Sequence, residues 1–295
     1  MNQAQLQNAP CTIKSVQCFS PAGLHRMAYK EWGDPANPKV LVCVHGLTRV
    51  SDDFDNLAQA MCKYYRVICP DIVGRGRSDW LRDPRHYVIP QYNSDMVTLL
   101  ARLNVEKVDW VGTSMGGLMA LELAAMPNNP IRKLVLNDIG PALDKNSLAA
   151  IGDYVGQELH FQSYAEAESY IRSISAAFGP HTDAQWHALA SSVLRQQPDG
   201  RWIRHYDLAL AEAFKRTYFT DAAKTEAMLW AAYDAITAPT LLLHGMESGL
   251  LSVESAKRMT TRGPKAKLVS LDGIGHAPTL MHDDQIAIVK NFLLA

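Results

Sequence analysis

Short apolar runs alternate with amphipathic stretches along this chain, and that alternation carries most of what the sequence says about its fold. Residues 12–32 read as a β-hairpin turning at Pro21-Ala22-Gly23. Val40–Val44 is apolar throughout, the pattern of a strand covered on both faces. A helix is predicted over 53–63, a strand over 65–69, a Gly-rich loop over 71–78 and a helix over Ile89–Leu103. A strand over 108–111 runs into Gly112-Thr113-Ser114-Met115-Gly116-Gly117. A helix over 118–125 and a strand over 131–136 follow. The rhythm predicts an α/β fold, a mostly parallel central sheet with helices on both faces.

After Pro141 the rhythm stops. Residues 142–235 show helical patterning, no convincing strand, and many Ala, Ser, Tyr and Trp residues. The stretch is too long for a loop and too unlike its flanks for sheet. We read it as a helical cap inserted into a core formed by 1–141 and 236–295. The rhythm then resumes with a strand over 240–243, a helix over Val253–Met259, a strand over Lys267–Leu271 and a closing helix over 285–293.

Composition narrows the class. The 295 residues, 47 % hydrophobic and 20 % charged, can bury a sizeable core. Lys+Arg is 29 and Asp+Glu is 30, a net −1 that points to neither nucleic acid nor an anionic membrane. The expected partner is a small molecule, with no nucleic acid and no membrane insertion, and the oligomeric state is left open. The five cysteines are odd in number and include no C-x-x-C pair. Cys43 and Cys69 sit in apolar runs, where a thiol acts as a small hydrophobe. Reading all five as reduced favours the cytoplasm. Residues 1–10 are polar and lack the basic and apolar regions of a signal peptide.

The chemistry centres on Gly112-Thr113-Ser114-Met115-Gly116, a G-x-S-x-G pattern between a predicted strand and a predicted helix. A turn this tight needs small residues two before and two after the serine. It pushes the hydroxyl above the sheet edge, where the helix N-terminus aims its N–H groups. Serine is a weak nucleophile and needs an adjacent base. Gly275-His276 lies on a loop after the last strand, and an imidazole titrates where alternating acid and base work requires.

With these motifs in order, the chain resembles the α/β-hydrolase superfamily, in its serine-nucleophile, esterase-like branch, from about Leu24 to Leu294. His45-Gly46-Leu47 resembles the oxyanion loop. Asp71 with Gly74, Gly76 and Ser78 resembles the D-x-x-G-x-G-x-S turn. Gly275-His276-Ala277-Pro278 resembles the G-H-x-P turn of the base. The resemblance implies Ser114 as nucleophile, His276 as base and the backbone N–H groups of Leu47 and Met115 as oxyanion donors. His45 then orients its loop. No cofactor and no metal is expected.

One element of the pattern is missing. The family usually places an aspartate in the loop after the strand at 240–243, and here that position is Gly249. Asp138, at the end of the preceding strand, is the first substitute, and Glu247 is the alternative acid. As turn chemistry, Asp138 could equally cap Gly140-Pro141. Pocket candidates are His45, Gly46, Arg49, Trp202 and Tyr206. The stretch 200–207 reads either as a pocket wall or as a helix packed through Trp202 and Tyr206. Arg49 either meets a substrate carboxylate or pairs with Asp52 or Asp53.

The leading expectation is a carboxylic-ester hydrolase acting through an acyl-enzyme. A C–C bond hydrolase, a lactonase or a cofactor-free haloperoxidase would use the same residues. Serine at the elbow argues against epoxide hydrolases and haloalkane dehalogenases, which use aspartate there. The alternative from another class, motivated by Gly249, is an impaired member that binds a small ligand.

Overall fold

The computed structural model describes residues 11–219 and 222–295, so the reading of 1–10 lies outside the described residues. Among these residues eight strands form one sheet: β1 (Cys11–Ser20), β2 (Gly23–Trp32), β3 (Val40–Val44), β4 (Arg66–Pro70), β5 (Val108–Thr113), β6 (Ile131–Asn137), β9 (Thr240–Gly245) and β10 (Lys267–Leu271). Their spatial order is β1-β2-β4-β3-β5-β6-β9-β10. The hairpin β1-β2 joins β4 antiparallel at one edge, and every other pairing is parallel.

β3 shows why its run is apolar throughout. Val40, Val42 and Val44 pack into one core and Leu41 and Cys43 into the other. All five are buried. Burying such aliphatic side chains contributes about 1.5–3 kcal/mol each. The helices α1 (Asp55–Met61) and α10 (Asp283–Leu294) cover one face. On the other lie α2 (Ile89–Leu103), α3 (Met115–Ala124) and α9 (Val253–Met259). The helix predicted over 53–63 is in fact a 3-10 turn over Ser51–Phe54 followed by α1.

Between β6 and β9 run α4 (Lys145–Tyr154), α5 (Tyr164–Ile174), α6 (Asp183–Ser191), α7 (Leu210–Phe219) and α8 (Ala222–Ala235). Local sequence sets their starts. Asp144 accepts from Ser147 N–H, Ser163 from Glu166 N–H, and Thr182 with Gln185 forms a capping box. α8 packs as a helix of the sheet layer, placing Trp230 and Tyr233 in the core that α3 also builds.

The expectation of no strand here is overturned. β7 (Leu194–Gln196) and β8 (Trp202–Arg204) pair antiparallel. The signal was Pro198-Asp199-Gly200, turn chemistry between two runs, with Gly200 at φ +87°. Strands of three residues are too short to display an alternation. The helix considered for 200–207 is therefore a hairpin arm. All five cysteines are free, and among the described residues no helix is long and apolar enough to cross a membrane.

Candidate active site

Ser114 sits between β5 and α3 with φ 51° and ψ −115°, a strained turn. The flanking glycines are sterically forced. A Cβ on Gly112 would lie 2.4 Å from the Gly116 carbonyl oxygen, and one on Gly116 would lie 2.1 Å from that of Val44. Any side chain would push the elbow off the sheet.

Three side chains meet there. His276, on the loop between β10 and α10, places Nε2 2.9 Å from Ser114 Oγ and Nδ1 2.8 Å from Asp138 Oδ2. Asp138 follows β6 at φ 52° and is 0 % exposed. Its Oδ1 accepts from Gly245 N–H at 3.0 Å, and its own N–H donates to Leu243 O at 2.8 Å. The register explains the meeting. Asn137 pairs with Leu243 across β6 and β9, which sets the next residue beside Gly245. Asn137, which the sequence reading passed over, ties the histidine loop down by donating to Pro278 O at 2.8 Å and Thr113 Oγ1 at 2.9 Å. Glu247 lies exposed on the loop after β9 and makes no hydrogen bond to His276 among the described residues. Gly249 O accepts from Ser147 Oγ at 2.7 Å.

The N–H of Leu47 has no partner among the described residues. That of Met115 opens α3, where the first-turn donors have no intrahelical acceptor. Arg75, also missed by the sequence reading and fully buried, braces both residues. Its Nε donates to Leu47 O at 2.8 Å, its Nη1 to Val73 O at 2.8 Å, and its Nη2 lies 3.3 Å from Met115 Sδ. The guanidinium also stacks 5.0 Å from the Tyr92 ring.

Gly46, Arg49 and Tyr206 line the cavity of about 120 Å³ over Ser114 and His276; two other pocket candidates do not. His45 is buried behind the loop, with Nδ1 2.7 Å from Gly46 O and Nε2 accepting Ile72 N–H at 3.0 Å. Burial pushes its pKa down to about 4. Trp202 does not line the cavity. It packs edge-on to Tyr164 at 5.0 Å within the inserted segment. Arg49 pairs with Asp53, its Nε at 2.8 Å and its Nη2 at 2.5 Å from the carboxylate. Arg204, two residues past Trp202, lines the cavity instead. Cys18, His25 and Asp95 form a buried group whose donor atoms lie within 4.8 Å of one another. Both Asp95 oxygens are already engaged there, by His25 and by Gln91.

A sheet of this order, a strained serine at a strand-to-helix turn and a histidine bridging it to a buried aspartate define a class of protein. The model of the α/β hydrolase fold matches residues 39–283, and the chain belongs to that family. It is similar to a 3-hydroxybutyrate-oligomer hydrolase of Cupriavidus necator, 52 % identical over 280 residues that cover 94 % of this chain and 96 % of that protein. It is also similar to a bifunctional esterase/perhydrolase of Acinetobacter calcoaceticus, 27 % identical with 89 % and 95 % covered. Among solved structures it resembles an α/β hydrolase of Novosphingobium aromaticivorans, with TM-score 0.85, 35 % identity and 97 % and 99 % of the two chains covered.

Proposed function

We propose that this chain is a serine hydrolase of short carboxylic esters, with hydroxyacid oligomers as its substrate class. The observation that carries the reading is the relay Ser114–His276–Asp138, with hydrogen bonds of 2.9 and 2.8 Å. His276 Nε2 takes the Oγ proton as Ser114 attacks the ester carbonyl. Asp138 holds the imidazole with its proton on Nδ1 and stabilises the imidazolium that forms. The N–H groups of Leu47 and Met115 receive the oxyanion. The imidazolium returns its proton to the leaving alcohol, and water then repeats the sequence on the acyl-enzyme.

The likeness to the 3-hydroxybutyrate-oligomer hydrolase supports the substrate class. The relay also weakens the case for an impaired binding member, because His276 has a carboxylate partner without Gly249. Replacing Ser114 by Ala is expected to abolish both turnover of p-nitrophenyl butyrate and stoichiometric labelling by a fluorophosphonate. Turnover by Ser114→Ala at the wild-type rate would overturn the reading.

A further inference from the structure

Arg204 ends β8 and is 6 % exposed, yet it has no anion. It makes no ion pair among the described residues. Its Nη2 donates to Tyr154 O at 2.6 Å and to the Tyr206 hydroxyl. The Tyr154, Tyr170 and Tyr206 rings surround it, 5.6, 5.7 and 4.9 Å from Cζ. Its Nε is buried with no hydrogen-bond partner. A guanidinium offers five N–H donors, and a buried charge left unpaired is costly, so the aromatic cage offsets only part of that cost.

The tyrosines do not supply the missing negative charge. Burial raises the phenols of Tyr154 and Tyr206 above their ordinary range, so both remain neutral at physiological pH. Among the described residues no Asp or Glu lines the cavity, whereas Arg49 and Arg204 both do. The two cations differ in one respect. Arg49 is neutralised by Asp53, and Arg204, which lines the same space above Ser114, meets no carboxylate among the described residues.

We propose that Arg204 binds the free carboxylate of the substrate, so that the site selects esters whose alcohol portion ends in a carboxylate. The proposal rests on the reading of Ser114 as the nucleophile of an ester hydrolase. In a hydroxyacid oligomer the free carboxylate lies on the alcohol side of every ester bond, so one anchored end fixes which bond reaches Ser114. A guanidinium N–H gives a carboxylate oxygen a charge-assisted hydrogen bond, which a methyl ester cannot reproduce.

The test compares the linear dimer of 3-hydroxybutyrate with its methyl ester. Charge-assisted hydrogen bonds of this kind correspond to a kcat/KM preference for the free acid of about 100-fold in the wild-type protein. In Arg204→Met the ratio should fall to about 1, mainly through KM for the free acid. A purely structural role for Arg204 would lower both substrates together and leave the ratio intact, which would overturn the proposal. So would a wild-type protein that cleaves the two dimers equally. Should Arg204→Met fail to fold, the wild-type ratio and competition against p-nitrophenyl butyrate hydrolysis decide. 3-Hydroxybutyrate should then inhibit at least about tenfold more tightly than its uncharged amide, and equal inhibition would overturn the proposal. Ser114-dependent cleavage of p-nitrophenyl butyrate without carboxylate discrimination would remove only this inference. Cleavage of none of these esters would remove the proposed function with it.

Discussion

Two hydrogen bonds reach the Asp138 carboxylate, from Gly245 N–H at 3.0 Å and from the His276 ring at 2.8 Å, and no water-accessible surface remains on the residue. Such a carboxylate keeps a proton on Nδ1 and leaves Nε2 free to accept from Ser114. Asp138→Asn is expected to lower kcat on p-nitrophenyl butyrate by about 10⁴ with the fold intact. A loss below about tenfold, roughly 1.4 kcal/mol of barrier, would place the orienting group elsewhere. Gly249→Asp is expected to bring no rate gain, because His276 already has Asp138 as partner and a Cβ at 249 would sit 2.9 Å from Ser147 Oγ on α4 and disturb its contact with Gly249 O. Asp138 could be named from the sequence because it ends a strand. It ranks ahead of Glu247 on that ground; what the sequence does not supply is the pairing of Asn137 with Leu243, which only the assembled sheet provides. Arg204 was beyond sequence reasoning for a different reason. An arginine among aromatic residues is ordinary, and what distinguishes this one is the absence of an anionic partner among the described residues.

Between residues and the whole lie two loops, 45–50 after β3 and 71–78 after β4, held together by His45 and Arg75. His45 Nε2 accepts from Ile72 N–H, so its proton resides on Nδ1, facing Gly46 O. A second proton would fall on Nε2 and break the Ile72 contact, and burial already holds the ring's pKa near 4. The unfolded chain binds that proton below about pH 6.5. Stability is therefore complete above that pH and drains away as pH falls toward 4, by about 3 kcal/mol. Melting temperatures from pH 7 to 4 should fall more steeply for the wild type than for His45→Gln. Parallel curves would argue against this linkage. Arg75 acts on the same loops through Leu47 O and Val73 O. Arg75→Met is expected to lower kcat about 10²-fold with KM nearly unchanged, as misplacing one oxyanion donor does. A change confined to KM would argue for a role in binding. These loops were legible as motifs, since Gly-rich turns after apolar strands stand out, and the strands and helices of the sheet were legible to within a few residues. The hairpin β7-β8 was not, because three-residue strands carry no period.

At the scale of the molecule, the inserted segment is fastened to the sheet layer on two sides of the cavity. On one side Tyr87 donates to Asp207 at 2.5 Å, Asp207 N–H donates to Gly74 O at 2.8 Å, and His205 Nε2 lies 2.8 Å from Gly76 O. On the other, beside the His276 loop, Gly275 N–H donates to Ala177 O at 2.6 Å and His181 Nε2 lies 2.8 Å from Thr279 Oγ1. A roof tied at both ends leaves a cavity of about 120 Å³, walled by Ile151, Ile174 and Phe178. Such a space accepts short chains and meets long ones with a steric cost that rises with each added methylene, because packed walls yield little. Along a p-nitrophenyl ester series from butyrate to dodecanoate, kcat/KM is expected to fall by at least about 100-fold, or about 2.7 kcal/mol of lost transition-state binding. Asp207→Ala releases one fastening, since it removes the acceptor of the Tyr87 hydroxyl. That variant should flatten the profile, gaining on dodecanoate while losing on butyrate, because a looser roof admits more chain and excludes less water. A flat wild-type profile would place the limit on chain length outside the cavity. A variant that lost on every ester alike would show that the Tyr87–Asp207 contact supports the catalytic loops and not the roof.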